Sequence, residues 1–289
     1  MRFSTQFKQR LLISTIGVLA LAFSISYSFS PYFKWLFVLL NAGVIGLALS
    51  EYYHLAQNKG FQPSTSFGIG FSILYLIVLS ATFLHPSLDG LSSLFLLFSF
   101  LALFLMFFKN QELALGNLAI TLFGIGYLTI PLSCALRINY FFPLDAAEDG
   151  RLWLAYVLLT SKITDVGAYF CGKILGKYKL APSISPKKTI EGALGGLAAA
   201  VILSISFALF ASHFSVFKMT FFQSIWIGLI ISILAQLGDL SESLLKRDAG
   251  VKDSSRLPGL GGVLDIVDSL VFTLPFIYLL LHMHIIGHI

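Results

Sequence analysis

The chain has 289 residues, of which 57% are apolar, 15% aromatic and only 11% charged, against roughly 25% charged in an ordinary soluble domain. With 28 Phe and a mean hydropathy of +0.86, the apolar side chains exceed what one water-facing globule can bury, so lipid must solvate much of the surface. A soluble enzyme is excluded, and the formal net charge of +5 says less than where the charges sit.

A spanning helix needs about 20 apolar residues, at about 1.5 Å rise each through a ~30 Å hydrocarbon core. Charge-free gaps place a first span between Arg10 and Lys34 and, after a turn at Pro31, a second over residues 35–50. The start can also be read as a cleavable signal, with Ala20-Leu21-Ala22 as the small residues, but the apolar run continues well past them, which favours a span. Residues 67–84, 91–108 and 113–136 follow as spans three to five, joined by short hairpin-like breaks. A sixth, 152–175, is interrupted by Lys162 and Asp165; 193–212 and 219–238 are free of charge, and a ninth runs from 265 to 286. Cys134 and Cys171 lie in apolar stretches with no metal-like or disulfide-like spacing and read as small buried hydrophobes.

Nine spans put the termini on opposite sides. Of the 19 Lys and Arg, fourteen fall on the amino-terminal side and four on the other, with Lys162 inside a span. The positive-inside rule then makes the tail and the basic loops after spans six and eight cytoplasmic. The expected fold is all-α: a polytopic integral membrane protein of nine transmembrane helices with a cytoplasmic N-terminus. Spans one to five, within residues 1–150, carry almost no ionisable group and read as an apolar scaffold, whereas 151–289 (spans six to nine) hold the chemistry, the two forming one continuous membrane domain. There is no internal repeat or low-complexity tract.

A carboxylate at membrane depth costs at least ~2.5 kcal/mol on insertion scales, so it is a functional candidate that needs a partner. Asp165 qualifies, although Lys162, three residues earlier on the same helical face, offers it a purely structural pairing. Asp265 and Asp268 begin span nine at i, i+3, which places both on one helix face. Asp239 with Glu242 makes a similar pair at the end of span eight. Carboxylates converging at one depth suit a hard cation such as Mg²⁺, which takes oxygen ligands and shares its shell with substrate phosphates. Opposite them stand Ser185-Pro186-Lys187-Lys188-Thr189-Ile190-Glu191-Gly192, Lys246-Arg247 and Lys252-Asp253. Juxtamembrane lysines can simply anchor loops to anionic lipid. Their mixing with hydroxyls, acids and glycines, including the run Pro258-Gly259-Leu260-Gly261-Gly262, points instead to polyphosphate binding. His282, His284 and His288 crowd the far end of span nine, and His54, His85 and His213 sit at span ends, so no histidine-based triad is legible.

Ser243-Leu244-Leu245-Lys246-Arg247, Lys252-Asp253, Pro258-Gly259, Gly261-Gly262, Asp265 and Asp268 closely resemble the signature of the phosphatidate cytidylyltransferase (CDP-diacylglycerol synthase) family. Asp165-Val166-Gly167-Ala168-Tyr169-Phe170, Leu180-Ala181-Pro182, Ser185-Pro186-Lys187-Lys188-Thr189 with Glu191-Gly192, and Gln236-Leu237-Gly238-Asp239-Leu240 match in the expected order. The likeness covers roughly residues 160 to 270; the amino-terminal half matches only in being apolar. Leu260 stands where the family usually has His and Ile266 where it usually has Arg, and the connection from Asp253 to Pro258 is one residue short.

The resemblance implies Mg²⁺-dependent transfer of a cytidylyl group from CTP to phosphatidate, giving CDP-diacylglycerol and pyrophosphate, at an inner-membrane site facing the cytoplasm. It leaves a second metal or a monovalent cation open. A phosphate monoester has its second pKa near 6, so the lipid nucleophile is largely ionised and hardly needs a general base. On this assignment Asp239, Asp265 and Asp268, with Asp165, hold the metal; Lys187, Lys188 and Lys246, with Ser185 and Thr189, hold phosphates. Glu191, Gly261 and Gly262 complete the substrate site, and Lys252, Asp253 and Arg247 order the loop or the nucleotide. Asp239, Asp265, Asp268, Lys188 and Lys246 carry the catalytic roles. The alternatives are a CTP-dependent polyprenol or phytol kinase and, more remotely, an ion-coupled transporter using Asp165 and Lys162. The spaced motif of a CDP-alcohol phosphotransferase is absent. No nucleic-acid partner is expected; Gly192, Gly195 and Gly196 permit close helix contact, either in a homodimer or within one chain.

Overall fold

The computed structural model describes residue 17 and residues 19–88, 90–108, 113–143, 146–213, 216–254 and 262–287. It divides into two compact units, residues 1–133 with 249–266, and residues 134–248 with 267–289. Six helices are long and apolar enough to cross a membrane: Pro31–Asn58, Thr65–Thr82, Ala114–Asn139, Ile190–Ser212, Phe221–Asp248 and Val263–His282. A shorter apolar helix covers Leu91–Phe107. The chain is an integral membrane protein built mostly of helix. Gly150–Leu175 is also long, at 26 residues, but it carries Arg151, Lys162, Asp165 and Lys173 and is therefore less apolar.

In the first unit, Pro31 opens its helix at the position where a missing N–H costs nothing. That helix continues to Asn58, beyond the end that charge spacing suggests, so Glu51 is helical. It packs chiefly on Thr65–Thr82. The long helix that starts at Ala114 contains a π-helical turn, Ile125–Thr129, where the Thr129 hydroxyl meets the Ser72 hydroxyl at 2.6 Å.

In the second unit, the closest packing is between Gly150–Leu175 and Ile190–Ser212, and the latter also packs on Phe221–Asp248. The reason is a stripe of small residues. Gly192, Gly196, Ala200, Ser204 and Ala208, four apart along one face, are all buried, which lets two backbones approach closely. A Cβ on Gly196 would lie 2.9 Å from the Thr164 carbonyl oxygen. Gly192 and Gly195 likewise face Ala168 and Cys171 within the unit, so the small residues weighed for a dimer are used inside one chain.

Three expectations are refined. Among the described residues the fold is mostly helical as expected, and the basic loop after Leu175 adds an antiparallel hairpin of Lys179–Ala181 and Ser185–Thr189. Helix Phe221–Asp248 runs ten residues past the charge-free stretch, because acidic and basic side chains on its last turns pair with each other; Gly250, with φ +71°, follows its end. The ninth span, Val263–His282, is interrupted by a turn. Val263–Val267 and Leu270–His282 are separated at Asp268-Ser269, where the Asp268 carboxylate accepts from the Ser269 N–H at 2.5 Å and so competes with the helical ladder. Asp265 therefore lies in the short helix and Asp268 in the break that follows it, rather than both on one face of a continuous helix.

Gly196→Leu should lower the melting temperature of the detergent-solubilised protein, since overpacking a filled contact costs about 1–3 kcal/mol. The same change at Gly70, where a Cβ meets nothing within 4 Å, should leave it nearly unchanged.

Candidate active site

The second unit gathers the acidic and basic motifs around its helix ends. Asp239 and Glu242 sit one turn apart on Phe221–Asp248, and Asp268 lies at the helix break. Single carboxylate oxygens from the three lie within 4.8 Å of one another. Glu242 is fully buried and Asp268 is 5% exposed. Two like charges ~4 Å apart repel by about 4 kcal/mol at an effective dielectric of ~20, so such a trio is held together by cations or by a retained proton. Two are supplied by the chain. Lys188 Nζ lies 2.6 Å from Asp239 Oδ2, and Lys246 pairs with Glu242 one turn on. Lys162 adds a third ammonium nearby, donating to Ser269 Oγ at 2.9 Å and lying 3.6 Å from Asp165 Oδ2.

A cavity of about 340 Å³ opens beside this cluster, lined among others by Asp165, Tyr169, Lys173, Lys187, Lys188 and Asp239. That is within the range of about 300–1,000 Å³ for small-molecule sites. The hairpin brings Lys187 and Lys188 to it. Thr189 ends the second strand and caps the next helix, its hydroxyl accepting from the Gly192 N–H at 3.1 Å. Glu191 accepts from the backbone N–H groups of Lys177 and Tyr178 at 3.1 and 3.2 Å, tying the hairpin entry to that helix. Arg247 Nε donates to the Ile184 carbonyl at 3.1 Å and fastens the hairpin turn.

The sequence-derived set is thus divided. Asp165, Asp239, Asp268, Lys187, Lys188 and Thr189 come together, and Ser185 opens the second strand. Lys246, expected to hold phosphates, is instead 8% exposed and directed at Glu242. Glu191, Arg247 and Thr189 make the structural contacts just described. Lys252 and Asp253 are exposed. Asp265 and Gly262 belong to the first unit, where the Gly262 N–H donates to Asp265 Oδ2 at 2.9 Å. Gly261, with Leu260, lies outside the described residues.

The pattern of the Cytidylyltransferase family matches residues 8–284. Over 292 aligned positions the chain is 34% identical to the phosphatidate cytidylyltransferase of Synechocystis, covering 93% of this chain and 94% of that protein. It is 31% identical over 277 positions to the Bacillus subtilis phosphatidate cytidylyltransferase, covering 95% and 97%. With the Staphylococcus haemolyticus phosphatidate cytidylyltransferase it shares 39% over 188 positions, 65% of this chain and 66% of that protein. The chain belongs to the cytidylyltransferase family. The family match includes the amino-terminal half, where short motifs alone offered only apolarity.

Sequence reasoning named Glu242 as a neighbour of Asp239 but gave it no place in the site. The i, i+3 spacing was the available signal; its burial against Lys246 was not. Tyr169, Lys173 and Gln236 also line the cavity, and each lies within or next to a matched motif.

Lys246→Met should destabilise the folded protein by about 3–5 kcal/mol, because it strands a buried carboxylate. Glu242→Gln combined with Lys246→Met should recover much of that loss. Thermal melting of the two variants in one detergent measures the difference.

Proposed function

We propose that this chain transfers the cytidylyl group of CTP to phosphatidate, forming CDP-diacylglycerol for phospholipid synthesis and releasing pyrophosphate. One observation carries the reading: three carboxylates and a hairpin lysine converge beside a cavity in a chain of the cytidylyltransferase family.

The donor set suits Mg²⁺, being oxygen-only with ligand atoms close enough to share one ion. Asp239, Glu242 and Asp268 would hold it, with Asp165 on the cavity wall; when bound, the ion neutralises charge on the triphosphate. Asp265 is assigned its part by the family signature. Lys187 and Lys188 hold phosphate oxygens at the cavity, and Lys173 adds a third ammonium there. A phosphatidate oxygen attacks the α-phosphorus of CTP while the bond to the β-phosphate oxygen breaks and pyrophosphate leaves. These side chains align the two phosphates and stabilise the charge of the leaving group, with no protein base required.

We further propose nine spans, a cytoplasmic N-terminus and a cytoplasm-facing site in the cell membrane, from the distribution of Lys and Arg.

Purified protein in detergent should release pyrophosphate from CTP only when phosphatidate and Mg²⁺ are both present, and chelation should abolish release. Asp239→Asn should lower turnover about 100-fold or more without loss of folded protein. Near-normal turnover in that variant would remove Asp239 from the site, and release with a long-chain alcohol but not phosphatidate would redirect the reading to a lipid kinase. For the orientation, a single cysteine at Lys177 in a background lacking Cys134 and Cys171 should react with an impermeant thiol reagent in inside-out vesicles and not in intact cells.

A further inference from the structure

Glu51 is the one acid on helix Pro31–Asn58 of the first unit, and both of its carboxylate oxygens accept hydrogen bonds. Its Oε1 accepts from the Val263 N–H at 3.0 Å, and its Oε2 accepts from the Leu264 N–H at 2.8 Å and the Ser254 hydroxyl at 3.0 Å. Val263 and Leu264 are the first residues of helix Val263–Val267, so their N–H groups have no partner within the helix. Such donors are ordinarily met by a Ser, Thr, Asp or Asn side chain at the N-cap. Here the residue before the helix is Gly262, which has no side chain. The other half of a capping box is present: Asp265, at the third helical position, reaches back to the Gly262 N–H. Glu51, 212 residues from Val263, supplies the half that glycine cannot.

Gly262 is required by the crowding. A Cβ there would lie 2.6 Å from Glu51 Oε2 and 2.9 Å from Asp265 Oδ2, and would collide with the Ser254 hydroxyl. Ser254 Oγ is itself 3.2 Å from Asp265 Oδ2, so one buried hydroxyl serves both carboxylates. We infer that Glu51 is a positioning residue for the reaction: it fixes the start of the Val263–Val267 helix and, through Ser254 and Gly262, the orientation of the Asp265 carboxylate. The inference rests on the proposed cytidylyl transfer and on the role of Asp265 in it.

Glu51→Gln tests it closely. The amide keeps the size but turns one acceptor into a donor facing backbone N–H groups. The helix start should lose protection, so that peptides covering residues 262–267 exchange amide hydrogen faster, a readout independent of turnover. In the same protein kcat should fall about 10- to 100-fold, as for partners that orient a ligand, with KM for phosphatidate unchanged and the Mg²⁺ concentration for half-maximal rate raised. Asp265→Asn, measured alongside, should be inactive. Should Glu51→Gln fail to fold, Ser254→Ala, which removes the hydroxyl shared by the two carboxylates while leaving Glu51 in place, should give the same kinetic pattern. Faster exchange with wild-type kcat and Mg²⁺ dependence would reduce Glu51 to a stability role and overturn the inference, as would unchanged exchange. An inactive wild type, or an active Asp265→Asn, would instead overturn the functional reading on which it rests.

Discussion

Ionised carboxylates inside an apolar helical protein need nearby positive charge, and much of this structure follows from how that charge is delivered. Asp239, Glu242 and Asp268 are held at mutual distances where their repulsion amounts to several kcal/mol at an effective dielectric of ~20. Lys246 sits one helical turn from Glu242, which needs no tertiary structure. Lys188 arrives from a hairpin, so the helices flanking that hairpin must be fixed closely enough to bring an ammonium to 2.6 Å from Asp239. Lys188, Lys246 and Lys162 stand against four carboxylates, Asp239, Glu242, Asp268 and Asp165, and a divalent cation is a chemically consistent complement.

Delivering Lys188 depends on the packing of helices that do no chemistry. The buried stripe of Gly192, Gly196, Ala200, Ser204 and Ala208 brings Ile190–Ser212 against Gly150–Leu175, which carries Asp165 and Lys162. Lipid tails are as apolar as Leu, so burial of apolar surface cannot drive this association; close backbone contact and dispersion must. Thr189 and Glu191 then use their side chains on backbone N–H groups at the hairpin–helix junction. Their place in a motif with Lys187 and Lys188 thus has a structural reason. They hold the geometry in which the lysines meet the cavity.

The sequence made the apolar segments legible because a charge inside a span is costly, so gaps between charges mark helices well. It also exposed Asp165, Asp239 and Asp268, for the same reason. It did not reveal the hairpin at Lys179–Thr189, whose strands are too short to show an alternating pattern. The break at Asp268-Ser269 was hidden because an i, i+3 pair of acids reads as one helix face whether or not the ladder persists. Lys246 looked like a phosphate ligand in the linear motif, and only three-dimensional burial shows it turned to Glu242.

Glu51 is the instructive case. Along the chain it falls just beyond a charge-free stretch and looks like a solvated end of a scaffold helix. Its partners lie more than 200 residues away, and no local pattern records a cap supplied by another element. The information was nevertheless present as a conflict. A helix that begins after glycines, with an acid at its third position and no side-chain acceptor at its start, leaves N–H groups to be satisfied elsewhere. The first unit resolves that conflict by containing both Glu51 and residues 249–266. The amino-terminal helices are therefore more than a lipid-facing frame: one of them completes the local structure of the signature segment around Asp265.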